Sequence, residues 1–70
     1  MDYTIRLAWD AEASVWYSYS DDVPITLEAD TLDNLVKRVR EALPEMIELN
    51  HLSKPQNIYY LIHESRELAV

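Results

Sequence analysis

Between Tyr3 and Trp9 the large residues Tyr3, Ile5, Leu7 and Trp9 alternate with Thr4, Arg6 and Ala8. This two-residue period marks a strand with one face turned to a core. Asp10–Ser14 is a polar connection, and Val15–Ser20 returns as an aromatic, β-prone run, so the two segments predict an antiparallel hairpin with a five-residue loop. Asp21-Asp22-Val23-Pro24 is a turn signal, and Ile25–Ala29 predicts a short third strand.

At Asp30-Thr31 the period lengthens to about 3.6 residues. Leu32, Leu35, Val36, Val39, Ala42, Leu43, Met46 and Ile47 then form one stripe, which predicts a helix capped by Asp30 or Thr31. Pro44 removes a backbone donor and disfavours the helical state at Leu43, yet the stripe keeps its phase across it. One kinked helix, or two abutting ones, ending near Asn50 is expected. His51–Gln56 reads as a loop, and Ile58–His63 as a last strand before a polar tail. The order is βββαβ: a small α+β domain over residues 1–70, with an antiparallel sheet and one amphipathic helix on one face.

A single helix covers only one face of such a sheet. In the second and last strands both faces are apolar or aromatic: Val15, Tyr17 and Tyr19 oppose Trp16, and Tyr59 and Leu61 oppose Ile58, Tyr60 and Ile62. An uncovered aromatic face is therefore expected, and Tyr and Trp are the residues most enriched where proteins bind one another.

Composition sharpens this. Thirteen acidic and six basic residues give a net charge of −7. Residues 1–33 carry eight of the carboxylates and, of the basic residues, only Arg6; residues 34–70 balance five against five. Such a field repels phosphate backbones and favours a basic protein partner, so direct nucleic-acid binding is not expected. No stretch approaches the roughly 18 apolar residues of a membrane span, and an acidic, alternating start predicts a cytoplasmic protein. There is no cysteine, which removes disulfides and thiolate metal sites. There is no glycine either, which removes glycine-dependent phosphate loops and leaves Asp10, Asp22, Asn50 or Asn57 to build left-handed turns.

Chemistry is sparse. Asp10/Glu12 and Asp21/Asp22 flank the second strand at opposite ends, about 20 Å apart, too far to share a metal. His63 beside Ser65 lacks a nucleophile elbow, and His51 suits the end of the helix. Lys37, Arg38 and Arg40 sit among Asp33, Glu41 and Glu45 as a solvated helix face. Neither catalysis nor a metal or other cofactor is expected. Trp9 is assigned to the core, and Trp16 is divided between core and contact.

Trp9-Asp10, Val15-Trp16, Ser20-Asp-Asp-Val-Pro24, Glu28-Ala-Asp-Thr-Leu32 and Val39-Arg-Glu-Ala-Leu-Pro-Glu45 together resemble the HicB-like antitoxin family, in its short stand-alone branch. The resemblance spans residues 3 to about 50. Ile25 stands where that family usually has glycine, and the carboxyl-terminal DNA-binding module of full-length HicB antitoxins has no counterpart here. The resemblance implies a partial RNase H-like βββαβ fold and an antitoxin that masks a small basic RNA-cleaving toxin of the HicA type. The expected partner-binding residues are Trp16, Tyr17, Tyr19, Asp21, Asp22 and Glu28. A homodimer is also expected, and the alternative reading is an orphan homo-oligomeric domain with a small-ligand or other role.

Overall fold

The computed structural model describes residues 1–63. Strands β1 (Asp2–Asp10), β2 (Val15–Tyr19) and β3 (Glu28–Ala29) precede helix α1 (Leu32–Leu49) and strand β4 (Asn57–His63). The strands form one four-stranded sheet in the order β3-β2-β1-β4. The expected α+β class and βββαβ order hold. The polar tail beyond His63 lies outside the described residues.

The sheet is mixed rather than antiparallel: β2 pairs antiparallel with both β1 and β3, but β4 pairs parallel with β1, from Asp2↔Asn57 to Ala8↔His63. The reason is a count of reversals. β1, β2 and β3 alternate in direction, and α1 returns the chain across the sheet before β4 enters. β4 therefore runs the same way as β1, as crossover connections through a helix require.

β1 is one of the two inner strands, and its alternation holds. Tyr3, Ile5 and Leu7 are buried with Val23, Ile25, Leu35, Val39 and Leu43. Each such side chain contributes on the order of 1.5–3 kcal/mol when fully buried. α1 runs unbroken through Pro44 and directs Leu35, Val39 and Leu43 into this core, with the Thr31 hydroxyl capping its start by accepting from the Asn34 N–H. Arg38 donates to the Glu28 carbonyl and ties the helix to β3.

β2 pairs with only the second half of β1, from Arg6↔Tyr19 to Asp10↔Val15. Beyond Tyr19, side chains take over the ladder. The Ser20 hydroxyl donates to the Thr4 carbonyl (2.7 Å), and the Thr4 N–H donates to the Asp22 carboxylate (2.8 Å). The Ser20 oxygen also accepts from the N–H groups of Asp22 and Val23, which closes the turn.

The third strand is shorter than Ile25–Ala29 because Ser18 interrupts its pairing. Ser18 is fully buried; its hydroxyl donates to the Ile25 carbonyl (3.2 Å) and accepts from the Leu27 N–H (2.9 Å). Its N–H donates to the Leu27 carbonyl (2.9 Å). One side-chain oxygen thus replaces a backbone acceptor, and regular pairing begins only at Tyr17↔Glu28. This lets Val23 and Ile25 turn under the sheet into the core.

Among the described residues the left-handed ones are Ser14 (φ 54°) and His51 (φ 53°), not the Asp and Asn positions expected. Asp10 instead accepts from the N–H groups of Glu12 and Ala13 and shapes the hairpin loop from its start. His51 follows the helix end in a Schellman arrangement: Leu52 N–H donates to the Ile47 carbonyl (2.9 Å) and His51 N–H to that of Glu48 (3.2 Å). Glycine usually holds that position, and this chain has none.

Candidate functional site

Residues directly opposed in neighbouring strands share a face, so the register divides the sheet. Trp16 opposes Trp9, and Ser18 opposes Leu7, on the helix side. Tyr17 opposes Ala8 and Glu28, Tyr19 opposes Arg6, and Arg6 and Thr4 oppose Leu61 and Tyr59, all on the side away from the helix. The uncovered face inferred from the sequence is therefore built from Tyr17, Tyr19, Tyr59 and Leu61, with Thr4, Arg6, Ala8 and Glu28 between and beside them.

Tyr17 and Tyr19 stack, ring centroids 5.8 Å apart and planes at 26°. Alternation puts them two residues apart on one face, and the pleat brings the rings parallel. Ala8, set between Tyr17 and His63 in the ladder, is only 7% exposed although no helix lies over it. Tyr19, Tyr59 and Leu61 remain exposed. The result is an aromatic and aliphatic surface on a paired backbone, suited to contact.

Carboxylates rim this face unequally. Glu28 stands beside Tyr17 in the ladder, and Asp21 is exposed just past Tyr19. Asp22, expected to meet a partner, has its carboxylate engaged by the Thr4 N–H, so it shapes the turn and adds charge to the rim. Arg6 is half-buried at the centre of the face, between Tyr19 and Leu61. Sequence reasoning did not place Arg6, Tyr59 or Leu61 in the site. The signal was present for the last two in the alternation of β4, but only the parallel register brings them beside Arg6.

Trp16 does not join Tyr17 and Tyr19. It lies on the helix side, packs against the core cluster and meets Trp9 at 5.6 Å with planes at 59°. Trp9 is half-buried outside that cluster, at the end of β1, rather than a plug within it.

A second concavity was not foreseen. α1 packs over β2 and β3, and a groove of about 610 Å³ opens between its second half and β4. Leu43, Pro44, Ile47, Ile58 and Tyr60 line it, with Arg40, Glu48 and Lys54 among the flanking residues. Its signals in the sequence were Pro44 and the inner-face aliphatics of the last strand.

Asp30 has its carboxyl held below the usual value of 3.8, chiefly by a hydrogen bond from the Asn34 side-chain amide (3.0 Å). It stands at the helix start, away from the aromatic face. Among the described residues no three His, Asp or Glu side chains gather where they could hold a metal ion, and no helix is long and apolar enough to cross a membrane.

A family model described as a domain of unknown function (DUF1902) matches residues 2–69. Among solved structures, the fold is similar to that of a hypothetical protein from the extremely thermophilic bacterium Thermus thermophilus. The two share 31% identity over 100% of both chains, with a TM-score of 0.78. No curated protein matches.

Proposed function

We propose that this chain, which belongs to the DUF1902 family of domains of unknown function, is a binding module that masks a small basic protein with the sheet face its helix leaves uncovered. The observation that carries this reading is the stacked pair Tyr17–Tyr19, continuous across Arg6 with Tyr59 and Leu61 on a face that no other element covers among the described residues. Aromatic anchors on a rigid backbone lose little conformational freedom on binding, which suits them to carry most of an interface's energy.

Charge selects the partner. Glu28 and Asp21 rim the face, Asp22 adds to their field, and residues 1–33 hold eight carboxylates against Arg6 alone. Such a rim speeds encounter with a basic surface, and Arg6 at the centre meets an acceptor or an aromatic ring of the partner. The resemblance of residues 3 to about 50 to HicB-like antitoxins gives that partner a chemistry: a small basic RNA-cleaving toxin of the HicA type, neutralised by a steric and electrostatic cover.

Co-expression with the product of a neighbouring small basic reading frame tests this. Growth arrest is expected to be relieved, and a complex to co-purify whose association slows as salt rises. Tyr17→Ala and Tyr19→Ala should each weaken the complex about 30-fold or more, the cost of truncating a central aromatic anchor. No complex, with arrest persisting, overturns the reading.

A further inference from the structure

The two edges of the sheet are treated differently. β3 is a two-residue edge, bears Glu28, is followed at once by Asp30, and has its Glu28 carbonyl engaged by Arg38. Shortness, charge and a covering side chain are the devices by which proteins stop edge strands from pairing with other chains. β4 has none of them. It is seven residues long, holds no Lys, Arg, Asp, Glu or Pro, and has no neighbour beyond it among the described residues. Alternate residues of a strand paired on one side direct their N–H and C=O groups away from that neighbour, so β4 presents an open ladder. Apolar side chains stand exposed on both faces: Tyr59 and Leu61 are 54% and 44% exposed on one, and Ile62 is 52% exposed on the other, where Ile58 and Tyr60 pack against the core.

We infer that β4 pairs antiparallel with β4 of a second copy of this chain, joining two four-stranded sheets into one of eight. Charge favours a second copy at this place: in a chain of net charge −7, β4 is a strand without a carboxylate, so two copies meet there without juxtaposed like charges. Self-complementarity agrees. In a twofold antiparallel pair, residues stay on their own faces only when opposed positions sum to an even number, and centring on Tyr60 overlaps the whole strand. That register sets Tyr60 against Tyr60, Tyr59 against Leu61, Ile58 against Ile62 and Asn57 against His63. The first three pairs are apolar or aromatic, and the fourth joins an amide to an imidazole. A domain of this size gains most from such a contact, since its own core is small.

Sedimentation of the full chain over a wide concentration range tests the inference. A mass twice the 8.2 kDa of one chain is expected. Ile62→Lys and Leu61→Lys change exposed positions, should keep the circular dichroism of the parent, and should each return the monomer. Tyr17→Ala should leave the mass unchanged, which separates this contact from the aromatic face proposed to bind a toxin. A chain monomeric at every concentration overturns the inference and gives the edge to a strand of another protein. A dimer that survives both lysine variants, or one lost in Tyr17→Ala, overturns it as well.

Discussion

Ser18→Ala tests whether one buried hydroxyl holds the segment between β2 and β3. Ser18 is the one buried polar side chain among the described residues, and its oxygen serves the Ile25 carbonyl and the Leu27 N–H at 3.2 and 2.9 Å. Alanine keeps the shape apart from one atom and leaves both groups without a partner where water has no access. Each buried group left unsatisfied costs about 1–3 kcal/mol, so for two groups the loss should be about 2–6 kcal/mol. For a core that supplies about 3–5 kcal/mol, that is a large part of the stability. At roughly 4–8 °C per kcal/mol, melting should fall by about 10 °C or more.

Ser20→Ala is the control. Its hydroxyl makes three bonds, to Thr4, Asp22 and Val23, one more than that of Ser18, but Ser20 is half-exposed. Water can replace it, and the loss should be about 0.5–1.5 kcal/mol. Urea unfolding at one fixed protein concentration gives both values, with unchanged slopes. A Ser18→Ala loss no larger than that of Ser20→Ala would refute the reasoning, because burial would then not set the cost.

Three further outcomes follow from local geometry. His51→Gly should raise stability by about 0.5–1 kcal/mol in chemical denaturation, since the left-handed cap costs a residue with a Cβ more than the freedom glycine adds to the unfolded chain. Pro44→Ala should add about 1–3 kcal/mol, because Pro44 is exposed inside α1 and alanine restores a helical N–H; a loss instead would mean the groove depends on the proline ring. For Asp30 the folded carboxyl is depressed, so its contribution is present above the unfolded value and lost as pH falls through the folded one, a window lying below about 3.8. Carboxyl NMR titration should show that depression, and Asn34→Ala should remove most of it.

The elements were legible where side chains alone decide them. The period of β1, the stripe of α1 and the aromatic surplus of β2 and β4 each depend on short-range spacing. What escaped depends on partners distant in sequence. Ile25–Leu27 has strand-forming residues, but the Ser18 hydroxyl substitutes for its ladder, and no propensity records that. Asp22 fits both a turn and a charged rim by its residue type, and the Thr4 N–H on its carboxylate, from a distant part of the chain, favours the first. His51 took a glycine's place because a chain without glycine still has to end its helix. Trp16 was divided between two faces, and one residue of register decides between them.

The parallel pairing of β1 with β4 also sets an order of events during synthesis. β1 leaves the ribosome first and can meet β2 at once across a short loop. Its other edge waits, because Tyr3 must find Ile58 at nearly the far end of the described chain. Contacts of such high sequence separation slow folding, since the loop must close before the contact rewards it. Until then this inner strand of the finished sheet is an open apolar edge. A nascent chain released or cleaved before β4 exposes Tyr3, Ile5 and Leu7 next to that unpaired edge, so truncation should lead to aggregation and degradation rather than to a smaller folded domain.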